Sequence, residues 1–108
     1  MSIEQTKIVD AVGIEKDTGE IILTITDPVD WSDERNHLLL LQGKINAYLD
    51  FVEEGELAEV YPQAAGRHVS IDIVFRYAIP DVALQFLKQA RTVIESAGMG
   101  FRYRRCDG

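Results

Sequence analysis

The sequence predicts an α+β fold: a two-layer sandwich in the order ββαβαβ, with one four-stranded sheet and two helices on one face of it. Three observations predict it. Four short stretches alternate apolar and polar residues with the period of a strand, and two longer ones repeat apolar residues at helical spacings of three and four. Each strand has one apolar and one more polar face, as a sheet covered on a single side requires.

In the first stretch, Ile8, Val12 and Ile14 fall on one parity, and Asp17-Thr18-Gly19 follows as a turn. Ile21, Leu23 and Ile25 then alternate with Ile22, Thr24 and Thr26, so the two runs form a β-hairpin with one buried face. Asp27-Pro28 ends the second strand, because proline has no ladder donor and restricts the residue before it. A long helix to about Glu53 opens at Asp30-Trp31-Ser32-Asp33-Glu34. There Ser32 or Asp30 can cap a free N–H, and Asp33 with Glu34 suits the positive end of the dipole. Leu38, Leu41, Ile45, Leu49 and Val52 make its core stripe, and Gly55 stops it. Residues 56–66 read as an irregular connection. Val69, Ile71, Ile73, Phe75 and Tyr77 share one parity in the clearest strand of the chain. Pro80-Asp81 opens the second helix, with Val82, Ala83, Phe86, Leu87, Ala90, Val93, Ile94 and Ala97 at helical spacing and Gly98 as its stop. Met99, Phe101 and Tyr103 then alternate with Gly100, Arg102 and Arg104 in a last strand.

A chain of 108 residues, 46% hydrophobic and 27% charged, is sized for one domain, residues 1–108. At that length it buries roughly 65% of its unfolded surface without help from a metal or disulfide. Its longest apolar run, Leu38 to Leu41, is far short of the roughly 20 residues of a membrane span. Charged residues from Glu4 to Glu20 leave no signal-peptide core, which points to the cytoplasm. The single cysteine, Cys106, excludes a disulfide scaffold. Charge is uneven: residues 1–60 hold 14 acidic and 4 basic side chains, net -10, while residues 61–108 hold 4 and 7, net +3. An acidic face repels phosphate backbones and anionic lipids. The basic segment Arg102, Arg104, Arg105 can be neutralised by the chain's own acidic half.

The string from Asp27 to Pro62, Asp-Pro-Val-Asp-Trp-Ser-Asp-Glu leading into the leucine-rich helix and on to Tyr61-Pro62, resembles a family of small bacterial proteins known only as a domain of unknown function. The likeness runs from about Ile8 to Gly98, and Asp-Trp-Ser-Asp-Glu is its most specific part. The resemblance implies no activity, and no catalytic or binding residue carries across from it.

The best candidate for chemistry is the acidic cluster Asp27, Asp30, Asp33 and Glu34 with His37. Glu34 and His37 stand one helical turn apart and can turn toward one metal ion with Asp30 or Asp33, a donor set suited to iron, manganese or zinc. Di-metal bundles need two such Glu-x-x-His pairs, however, and this chain has one. Helix capping explains the same residues without a ligand. None of Ser2, Ser32, Ser70 and Ser96 lies in a nucleophile elbow. Cys106 lies near the end of the sequence, and His68 can pair with Asp72 or Arg76. Gly98-Met99-Gly100 lacks the third glycine of a phosphate loop. The aromatic residues Phe75, Tyr77, Phe101 and Tyr103 share the core-side parity, so the outer face offers no base-stacking platform.

The first helix carries a second apolar stripe, Leu40, Ala47 and Phe51, opposite Leu38, Ile45 and Leu49. Such a stripe needs a cover, either residues 57–61 folding back or the same helix of a second subunit. The sequence therefore favours a non-catalytic protein-interaction module that self-associates as a homodimer. A basic protein is its other possible partner, with no nucleic acid, membrane or cofactor. The alternative is a small metal- or ligand-binding enzyme built on Asp30, Asp33, Glu34 and His37.

Overall fold

A computed structural model describes residues 11–106. Strands β1 (Ala11–Ile14), β2 (Ile21–Asp27), β3 (Val69–Phe75) and β4 (Gly100–Arg105) form one sheet in the order β1-β2-β3-β4. β1 is antiparallel to β2, whereas β2, β3 and β4 run parallel. Helix α1 (Glu34–Glu53) links β2 to β3 through a short helix α2 (Glu56–Val60) and a 3-10 turn at Pro62–Ala64, and α3 (Asp81–Ser96) links β3 to β4. The predicted α+β sandwich is the observed one. Ile8 of the first predicted strand lies outside the described residues.

Strand parity places the core. Ile21, Leu23 and Ile25 of β2 stand beside Val69, Ile71 and Ile73 of β3, and Ile71 and Ile73 stand beside Phe101 and Tyr103 of β4. These side chains form a single buried cluster with Leu41, Ile45, Tyr48 and Leu49 of α1 and Leu87 and Ile94 of α3, so both long helices cover the same face. The hairpin closes where Glu15 N–H bonds the Glu20 carbonyl at 2.8 Å, with Gly19 at φ 74°.

Three expectations are corrected, and α1 adds one feature the sequence does not show. The connection after α1 is partly helical: Gly55, at φ 85°, turns the chain in a conformation that suits glycine. Glu-Leu-Ala-Glu-Val then makes one turn of helix that buries Leu57 in the core before Pro62 ends it. The N-cap of α1 is Asp33, whose carboxylate accepts from Asn36 N–H at 3.2 Å. Asp30 instead bonds Ser32, through its N–H at 3.1 Å and its hydroxyl at 2.7 Å. β3 ends at Phe75, and Tyr77 is exposed in the following bend and not on the core side. Finally, α1 buries Lys44 and His37 along with its apolar seam. The Lys44 ammonium lies 5.5 Å from the centre of the Tyr48 ring, and the Tyr48 hydroxyl donates to the Thr24 carbonyl at 2.8 Å, tying α1 to β2.

Candidate functional site

Asp27 falls on the core parity of β2, after Ile21, Leu23 and Ile25, so the strand delivers its carboxylate to the buried side. His37 lies one turn before Leu41 on the same face of α1. The two meet with Nε2 and Oδ2 2.5 Å apart and both side chains essentially sealed from solvent. The other ring nitrogen, Nδ1, donates to the Asp30 carbonyl at 2.9 Å. Asp27 Oδ1 accepts from Val29 N–H at 3.1 Å. Trp31 stacks on the imidazole, ring centres 3.6 Å apart and planes 16° apart.

This geometry fixes the proton inventory. A backbone carbonyl only accepts, so Nδ1 carries a hydrogen, and one further proton lies between Nε2 and Oδ2. Burial pushes the Asp27 carboxyl above its usual range, against the pull of the bond and charge of His37. The pair thus shares one proton across the Nε2–Oδ2 contact, and burial favours the form without separated charges. It pins the β2–α1 loop and offers neither nitrogen to a substrate.

The metal candidates are not gathered around one point. His37 faces inward with both nitrogens engaged, Asp33 caps α1, and Asp30 is held below the usual carboxylate range by its bonds from Ser32. Glu34 is exposed at the start of α1. Among the described residues no group of three or more His, Cys, Asp or Glu side chains is placed to hold a metal ion.

His68 pairs with neither Asp72 nor Arg76. Its Nδ1 bonds Glu20 Oε2 at 2.6 Å, and the Ser70 hydroxyl donates to the same oxygen at 2.7 Å. These two bonds, Ser70 first, hold the Glu20 carboxyl below its usual range. Gly100 makes the arrangement possible, since a Cβ there would collide with Ser70 Oγ. The hairpin turn and the start of β3 bound an open hollow of about 370 Å³ beside this cluster, with Arg67 anchored to the Gly19 and Gln63 carbonyls. Asp72, buried on β3, lies 3.7 Å from the Arg102 and 3.5 Å from the Arg104 guanidinium. Arg102 and Arg104 of β4 therefore face an acid of their own half of the chain.

Cys106 is exposed, and its N–H bonds the Phe75 carbonyl at 2.8 Å. It lines a shallow hollow of about 390 Å³ with Thr26, Val74 and Arg76, whose lining holds no histidine. Consecutive strands are neighbours throughout the sheet, so strand order never reverses. That reversal is where open α/β sheets make a ligand crevice. Here the carboxyl ends of the strands are filled by the chain's own rings, Trp31 against Phe75 and Phe75 against Tyr103.

Leu40, Ala47 and Phe51, the predicted interface stripe, are half-buried in the single chain, and Leu40 and Phe51 pack against the core. The side of α1 facing α3 is the more open one: Leu39 is 58% exposed. The sequence groups Asp27 with His37 in one acidic cluster but does not show that they form a sealed pair, and it gives no sign of Glu20 as the partner of His68. A carboxylate on the apolar parity of β2 was the available signal for the first.

Comparison with protein families matches residues 1–107 to a Family of unknown function (DUF6572). No curated protein and no solved structure matches the chain.

Proposed function

This chain belongs to that family of unknown function, and we propose that it acts as a non-catalytic protein-interaction module that self-associates as a homodimer. The observation that carries the reading is the helix layer. Of the large apolar side chains exposed among the described residues, Leu39, Val60, Val82, Leu84 and Val93 lie on helices, against Ile14 and Tyr77 elsewhere. Such side chains, left in water, favour contact with another protein. The His37 imidazole, the group best suited to proton transfer at the strand ends, is sealed between Asp27, Asp30 and Trp31.

The exposed carboxylates Asp50, Glu53, Glu54, Glu56 and Glu59 crowd the end of α1 and all of α2. They suit a basic protein as a second partner and repel nucleic acid and anionic membranes. No helix among the described residues is long and apolar enough to cross a membrane, and the reading places the protein in the cytoplasm. Light scattering over a wide concentration range tests self-association. The expected mass is twice the 12.2 kDa of one chain, and a single-chain mass at the highest concentration refutes it.

A further inference from the structure

The face between α1 and α3 is a groove. Two adjoining hollows of about 140 and 400 Å³ share Gln42 and Phe86 and run from Glu34 and Val82 at one end to Asn46 and Val93 at the other. Thirteen residues of α1, from Glu34 to Asn46, span it, twelve steps of 1.5 Å or about 18 Å. We infer that this groove is the surface through which the chain meets a second copy of itself, groove against groove about a two-fold axis. The inference rests on the reading of the chain as self-associating and names the surface that does it.

Charge selects the occupant. With a net charge of -7 and 27% charged residues, two copies repel over most of their approach. The carboxylates of α2 and the end of α1 would meet carboxylates, and the arginines of β4 would meet arginines. The groove is different: its only charged lining residues are Glu34 and Arg35, adjacent and of opposite sign. A surface depleted of charge at its centre has the composition of a buried interface core.

A two-fold contact also demands a surface complementary to itself. The polar lining residues Gln42, Asn46 and Gln89 are all amides. Each amide both donates and accepts, so the same set satisfies its own copy across an axis. A strongly charged partner finds no counter-charge there. Between the amides, Leu39 is 58%, Val93 56% and Val82 41% exposed, and they supply apolar area beside the half-buried Phe86.

The test uses Leu39→Glu and Val93→Glu, both at exposed positions, with Val60→Glu on α2 as the control outside the groove. Two like charges brought into a dry contact weaken association by about hundredfold or more. The expected result is a wild-type dimer, groove variants at single-chain mass with unchanged far-ultraviolet circular dichroism, and a Val60→Glu dimer. If the wild type and both groove variants are dimers, this surface is overturned while self-association stands. If the wild type is monomeric throughout, both readings fall. Should a groove variant not fold, amide hydrogen exchange of the wild type at low and high concentration decides. Protection gained along α1 and α3 supports the groove, and protection confined to other elements overturns it.

Discussion

Replacing Asp27 with asparagine tests the shared proton between β2 and α1 through its effect on stability. In the native pair Nδ1 and the Nε2–Oδ2 contact together hold two protons. In the unfolded chain the Asp27 carboxyl returns to its ordinary value of 3.8, and histidine titrates near 6.5. Between those values native and unfolded chains hold the same number, and the pair contributes no pH dependence. Above about pH 6.5 the unfolded chain holds one proton fewer, so stability falls as pH rises, by about 1.4 kcal/mol per pH unit while the native pair keeps its proton. The sign agrees with an Asp27 carboxyl raised in the fold, whose contribution is present at low pH and lost as pH rises. In Asp27→Asn the amide N–H donates to a neutral His37, and the native pair holds one proton. Its stability is flat above about pH 6.5 and falls as pH drops below it. The stability advantage of the native pair over Asp27→Asn should therefore shrink as pH rises from 5 to 8, by at most about 4 kcal/mol for one proton over three pH units, groups common to both cancelling. Urea unfolding at several pH values, followed by the fluorescence of the single tryptophan, Trp31, measures it. Parallel pH profiles for the two proteins would refute the proton assignment.

Zinc, manganese or ferrous iron should leave the melting temperature unchanged, since His37 already spends both nitrogens on Asp27 and Asp30; a rise with any of them shows a site that these contacts do not describe. Gly100→Ala should destabilise by about 1–3 kcal/mol in denaturant unfolding, because the new methyl must displace Ser70 from Glu20. Leu57→Ala should cost about 2–5 kcal/mol by removing the one core side chain that α2 supplies, and a loss under 1 kcal/mol would show that α2 is not anchored by it.

The elements with sustained periodicity were legible in advance. β3 and α3 carry enough repeats for parity and spacing to decide their type, although α3 leaves Val82 and Val93 of its apolar positions exposed. α2 was not, because five residues after Gly55 are too few to show a period, and only the docking of Leu57 makes them a helix. Lys44 lies on the seam of α1 between Leu41 and Tyr48, a place that residue type argues against, since lysines are rarely buried whole. The sequence marks Asp27 as a strand stop before Pro28 and a member of the cluster around His37, while its parity with Ile25 carries the further information that it points inward. Its partner is ten residues away on another element, and spacing along one element cannot show such a pair. The same holds for Glu20 and His68, joined only once β2 and β3 lie side by side.

β4 ends the sheet among the described strands. A strand in that position is a template on which another chain can add, and unguarded edges of this kind turn pairs of molecules into fibres. Three of the six residues of β4 are arginines, Arg102, Arg104 and Arg105. A second β4 laid alongside would set guanidinium groups about 5 Å apart across the ladder, a like-charge pairing that opposes strand addition. The positive charge of the last strand thus acts as a gatekeeper. It opposes growth of the sheet by strand addition at this edge.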